Sequence, residues 1–142
     1  MTDIVASQAP PRAGDGARWA LAGVSLLFVL GAFGQFFLVG LSFFDDATRW
    51  SDHANFGHAI GLLTWVLWIP AVLGRAGRGL VVATLALFIL FEAQYGFISA
   101  GHGIVNALHP LNGAVLLVLG GWICQRAIAL LREPDSSRKE AP

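Results

Sequence analysis

The stretch WALAGVSLLFVLGAFGQFFLVGLSFF, residues 19–44, contains no Asp, Glu, Lys or Arg and indicates the class of this protein. A helix of ~20 apolar residues crosses the ~30 Å hydrocarbon core of a bilayer. Further charge-free runs cover residues 53–74, 79–91 and 93–125, the last interrupted by the glycine-containing segment GHGIVNALHP. With 56% hydrophobic and 13% charged residues, the composition is that of an integral membrane protein.

The first two runs predict membrane helices at about 19–44 and 55–74. The last two runs are divided at the GHGIVNALHP segment and not at Glu92, which gives helices at about 79–100 and 108–131, with Glu92 inside the third. Short connections make consecutive helices antiparallel neighbours, so we expect an all-α, up-down-up-down four-helix bundle. The flanking residues 1–18 and 133–142 are polar or rich in Pro and Gly. We expect both to be disordered tails.

The basic residues predict an orientation in the membrane. Only Arg49 lies on one side of the four spans, and the positive-inside rule places the opposite side in the cytoplasm. We therefore expect a multi-pass protein of a bacterial inner (cytoplasmic) membrane, with a retained first helix and both termini cytoplasmic. The eight residues on the cytoplasmic side are Arg12, Arg18, Arg75, Arg78, Arg126, Arg132, Arg138 and Lys139.

Two other features restrict the functions that we consider. A formal net charge of zero offers no basic patch for nucleic acid, so no nucleic-acid partner is expected. Because Cys124 is the single cysteine, the chain has no internal disulfide. Membrane lipids are the expected surroundings of almost the whole chain.

His58 and His109 point most directly to a function. They begin the second and fourth predicted helices, which lie diagonally in a square bundle and run in the same direction. A diagonal of roughly 11–14 Å, from neighbouring axes ~8–10 Å apart, suits two imidazoles that bind one iron. We therefore predict that both side chains face inward as axial ligands of heme b. Each could instead be an ordinary polar group near a helix end.

A porphyrin also needs small residues beside its ligands, and the sequence supplies glycines at suitable places. In membrane helices glycines also serve close helix packing, so this pattern has two readings. The candidates are Gly57 and Gly61 beside His58, Gly113 beyond His109, and Gly31, Gly34 and Gly96 on the other two helices.

Other polar residues extend the candidate site. His53 and His102 could join the first two histidines in a site for zinc or copper. In a helix, however, His53 and His58 would lie ~140° apart and would not share a face. Glu92 is the only carboxylate within a span, where a charge costs several kcal/mol unless it is paired or protonated. It could handle protons, contact a ligand, or form a neutral hydrogen bond with Gln35 or a backbone carbonyl.

Three segments carry a family resemblance: NFGHAIGLLTWVL at 55–67, EAQYGFISAGHG at 92–103 and NALHPLNGAVLLVL at 106–119. They resemble a family of small, uncharacterised four-helix bacterial membrane proteins and, more distantly, one half of heme A synthase. The latter resemblance covers roughly residues 20–130 and implies His58 and His109 as heme ligands. It also implies that Gln94, Tyr95 and Gly96 correspond to a glutamine-glycine element that ends the third helix.

The resemblance does not extend to synthase activity. Heme A synthase has two such halves and a catalytic glutamate in its first outer loop, whereas this chain has one half and only Asp45, Asp46 and Asp52 there. An enzyme is not the expected class.

Three functions follow as hypotheses. The first is a heme b protein for electron transfer or heme handling near the outer leaflet, with a quinone or a membrane redox partner. The second is a cofactor-free accessory or scaffold subunit, working as a homo-oligomer or in a larger membrane complex. The third is an outward-facing metal-binding protein that uses four histidines.

Overall fold

The computed structural model describes residues 14–101 and 103–132. Each of its four long helices is long and apolar enough to cross a membrane, and the predicted antiparallel four-helix bundle is confirmed. The elements are α1 (Asp15–Phe44), the short 3-10 helix η1 (Ala47–Arg49), α2 (Trp50–Leu73), α3 (Arg78–Ser99) and α4 (Ile104–Arg132).

The helices form a ring. α1 packs against α2 and α4, and α3 packs against the same two helices, whereas neither diagonal pair is in backbone contact within the described residues. α2 and α4 are therefore diagonal, as the short connections predict. We call the end with η1 and the α3–α4 turn the η1 end, and the opposite end, where α1 begins and α4 finishes, the termini end.

The centre of the bundle is apolar and its few polar groups are hydrogen-bonded. Phe28, Leu67 and Leu87 are fully buried. The buried hydroxyls of Thr64 and Thr84 donate to the carbonyls of Gly61 and Val81, three residues earlier in the same helix. Such bonds allow these side chains to sit in the core without unpaired groups.

α2 begins at Trp50, where the sequence predicted residue 55. The Asp46 carboxylate accepts a hydrogen bond from the Thr48 backbone N–H at 2.9 Å, which starts η1, and η1 continues directly into α2. The same backbone hydrogen bond lowers the pKa of Asp46. His53 consequently lies in the first turn of a helix and not in a loop.

The ends of the other helices also differ from the predicted bounds. α1 begins at Asp15, after Gly14 with a φ of 100°, so the last residues of the predicted N-terminal tail are helical. α4 begins at Ile104, which places Pro110 in the second turn. A proline there leaves the Asn106 carbonyl without its usual helix partner, since proline has no N–H. The rest of both predicted tails lies outside the described residues.

Candidate functional site

His58 does not face the centre of the bundle, so the predicted inward pair of His58 and His109 is wrong. Its side chain is exposed, its ring centroid lies 5.3 Å from that of Tyr95 on α3, and its Nδ1 lies 2.7 Å from the Ala54 carbonyl oxygen. The cause is the packing of α2 on α1. Ile60 is buried against Gly31 of α1, and a residue two positions earlier points ~200° away around the helix.

His53 takes the place predicted for His58. The ring centroids of His53 and His109 lie 6.1 Å apart, across the diagonal between α2 and α4 at the η1 end. Both side chains are half-buried. The start of α2 at Trp50 places His53 inside the helix, whereas the predicted helix began only at residue 55.

The His109 ring is oriented by a backbone carbonyl of a neighbouring helix. His109 Nδ1 lies 3.3 Å from the Gln94 carbonyl oxygen on α3, and a carbonyl only accepts, so Nδ1 carries the proton and Nε2 keeps its lone pair. His53 Nδ1 is buried and has no hydrogen-bond partner within the described residues.

Three buried polar atoms at this end have no hydrogen-bond partner within the described residues: Gln35 Oε1, His53 Nδ1 and Asn106 Oδ1. Asn106 lies three residues before His109 and so shares its face of α4. A buried acceptor left unpaired costs ~1–3 kcal/mol. Lone pairs of this kind are satisfied by a cation or by a hydrogen-bond donor. We call Gln35, His53, Asn106 and His109 the polar cluster.

Asn112, for which the sequence predicted no role, supports the polar cluster. Its Nδ2 donates to the Leu90 carbonyl at 2.8 Å and to Gln94 Oε1 at 3.0 Å, which ties α4 to α3 beside His109. Gln94 therefore holds α4 at two points, through its side chain and its carbonyl. The sequence signal that could have identified Asn112 is an asparagine inside an otherwise apolar span, and the structure shows that it is buried.

The glycines predicted to open a porphyrin slot are mostly occupied by neighbouring side chains. A Cβ at Gly57 would lie 2.6 Å from Gln35 Nε2, and one at Gly61 would lie 2.7 Å from a Phe91 ring carbon. Phe56 fills the space at Gly34 in the same way, and the Gln94 amide lies beside Gly113. Gly96 is exposed and has no neighbour within 4 Å of its Cβ position, so it faces outward. These residues do not fit a porphyrin between the helices.

Glu92 is not bonded to Gln35. Its Oε1 accepts a hydrogen bond from Trp65 Nε1 at 3.1 Å, across a groove between α2 and α3 that His58 and Tyr95 also line. His53 and His58 thus lie on different faces of α2, as the helical spacing predicts. His102 lies outside the described residues. Among the described residues, no group of three or more His, Cys, Asp or Glu side chains could hold a metal ion.

Over residues 35–101 the chain is similar to a family of unknown function (DUF6220). This match agrees with the predicted resemblance to an uncharacterised family, whereas a resemblance to heme A synthase is not shown. The matched segment includes His53 and His58 and ends before His109. Neither a curated protein nor a solved structure matches the chain.

Proposed function

We propose that the polar cluster binds a transition-metal ion. The observation that carries the proposal is the approach of the His53 and His109 rings to 6.1 Å, together with buried lone pairs that have no partner within the described residues. His53 Nδ1 and His109 Nε2 would be the nitrogen ligands. Gln35 Oε1 and Asn106 Oδ1 are the oxygen atoms available to complete the coordination.

The chemistry of these donors narrows the choice of metal. Imidazole nitrogens suit copper, zinc and nickel, and a set without thiolates does not favour copper(I). Ligand bonds of ~2.0–2.2 Å would draw the two imidazole rings slightly closer together than 6.1 Å. The Gln94 carbonyl would then act as the outer partner that fixes the tautomer of His109.

The site would be reached from the outer face of the membrane. Eight of the nine basic residues in the sequence flank the termini end, which favours that end being cytoplasmic. At the η1 end the Trp50 ring lies 5.7 Å from that of His53, and Phe43 lies 5.4 Å from Trp50. These aromatic rings partly cover the cluster from the aqueous side. A role in holding or handling metal ions at the outer leaflet follows, without an enzymatic step.

The experiment is a metal titration of the purified, metal-free protein in detergent, with a chromophoric chelator competing for copper(II) or zinc(II). We expect one ion per chain, and a loss of affinity of at least tenfold in each of His53→Ala and His109→Ala. His58→Ala is the matched control, since it removes a histidine of the same helix that faces away, and should bind as the original protein does.

Binding that persists in the His53→Ala/His109→Ala double variant would contradict the proposal, as would the absence of binding in the original protein. A Soret absorption band that both substitutions abolish would instead favour the heme hypothesis. A colourless, metal-free protein isolated as a stable complex with other membrane proteins would favour the scaffold hypothesis.

A further inference from the structure

A second candidate site lies on the side of the bundle, between α2 and α3. It is a groove of about 480 Å³ that opens laterally, where lipid surrounds a membrane protein. Glu92 lies seven residues before the end of α3, which is ~10 Å along the helix axis, so the groove lies within the hydrocarbon layer. We call it the lateral groove, and the residues lining it include His58, Gly61, Leu62, Trp65, Glu92 and Tyr95.

Among the described residues, the lateral groove is lined by one carboxylate and by no Lys or Arg. α2 has no Lys or Arg in its sequence, and the only one in α3 is Arg78, more than three turns from Glu92. The hydrogen bond that Glu92 accepts comes from the neutral indole of Trp65. A carboxylate at such a depth is stabilised either by protonation or by an accompanying cation, because an unpaired charge there is costly.

The other polar groups of the groove also suit a cation. His58 Nδ1 lies 2.7 Å from the Ala54 carbonyl, so this nitrogen carries the proton and the lone pair of Nε2 stays available. Tyr95 and Trp65 present aromatic rings, and the Trp65 ring is held by Phe88 at a centroid distance of 4.8 Å. Aromatic faces attract cations because the electrons of the ring concentrate negative charge on each face.

We propose that the lateral groove binds a lipophilic organic cation, such as an aromatic ammonium or phosphonium ion, that enters from the bilayer. The apolar walls select a ligand that partitions into lipid, and the Glu92 carboxylate selects a positively charged one. The aromatic rings favour a cation whose charge is spread over several atoms. The volume lies within the ~300–1,000 Å³ of sites for small organic molecules. This site is distinct from the polar cluster, because it uses the opposite face of α2.

Two probe ions of nearly equal size and opposite charge test the proposal. The protein in lipid nanodiscs is titrated with tetraphenylphosphonium or with tetraphenylborate, and binding to empty nanodiscs is subtracted. We expect saturable binding of one tetraphenylphosphonium per chain, at least tenfold tighter than that of tetraphenylborate. Equal affinity for the two ions would overturn the proposal, as would no saturable binding of the cation.

Variants then test which residues carry the selectivity. Glu92→Gln should weaken cation binding at least tenfold, while Asp52→Asn, the same carboxylate-to-amide change at the η1 end of α2, should leave it unchanged. Should Glu92→Gln fail to fold, Trp65 supplies an independent test. Trp65→Phe keeps an aromatic face and should retain binding, whereas Trp65→Leu should weaken it at least threefold. Equal affinity in these two variants, or full binding by Glu92→Gln, would contradict the proposal.

Discussion

Two residues of α2, His53 and His58, show how strongly the direction of a side chain depends on where a helix begins and which face it packs. Both are histidines near the η1 end, and the sequence alone favoured His58 because it was predicted to lie at the same depth as His109. The structure turns His53 toward His109 and His58 toward Tyr95. Because α2 is apolar on nearly all sides, its sequence contains no polar stripe that would reveal the buried face.

The hydrogen bonds of Asn112 give a prediction about a single residue. We expect Asn112→Ala to lower the free energy of unfolding by about 1 kcal/mol, because side-chain hydrogen bonds in membrane proteins contribute ~0.6 kcal/mol on average and up to ~1.7 kcal/mol. Asn106→Ala is the control, since its Oδ1 has no hydrogen-bond partner within the described residues. Thermal or denaturant unfolding of the metal-free protein in detergent measures both. An equal decrease in the free energy of unfolding in the two variants would contradict the stabilising role of the Asn112 hydrogen bonds.

The helices themselves were largely predictable, and their contacts were not. Charge-free runs and the limits of the bilayer are sufficient to predict four spans, because backbone groups in lipid must be paired within a helix. The start of α2 was missed because the cap at Asp46 precedes a stretch of polar residues that reads as a loop. The start of α4 was also predicted too late, at residue 108, whereas α4 begins at Ile104.

Adjacent glycines of α4 test the packing of α4 on α1. A Cβ at Gly120 would lie 2.8 Å from two ring carbons of Phe28, which is 1% exposed and cannot move aside. Gly120→Ala should therefore destabilise the protein by ~1–3 kcal/mol. Gly121→Ala, with no neighbour within 4 Å, should be neutral or slightly stabilising, since alanine favours helices over glycine. Equal unfolding midpoints for the two variants would contradict this packing.

At the scale of the whole molecule, the ring of four helices brings together residues that are far apart in the sequence. The polar cluster joins α1, α2 and α4, and Gln94 of α3 orients one of its histidines. A bundle with short connections and diagonal α2 and α4 was predictable from the loop lengths. Which residues would meet across it was not, because that depends on the rotation of each helix about its own axis.

The orientation in the membrane is a separate prediction. After Cys124 is replaced by Ala, Ser51→Cys at the η1 end should react with a membrane-impermeant thiol reagent added outside intact cells, because the basic residues favour a cytoplasmic termini end. Gly16→Cys, at an exposed position with no neighbour within 4 Å, should react only after the cells are opened. Labelling of position 16 but not of position 51 from outside would contradict the predicted orientation.

The central claim is that His53 and His109 bind one metal ion together, and the number of nitrogen ligands on bound copper(II) tests it most directly. Electron paramagnetic resonance of the protein with one equivalent of copper(II) should show hyperfine coupling to two imidazole nitrogens. His53→Ala and His109→Ala should each show one nitrogen or no bound copper, and His58→Ala should still show two. Two nitrogens that persist in His53→Ala, or that fall to one in His58→Ala, would contradict the account.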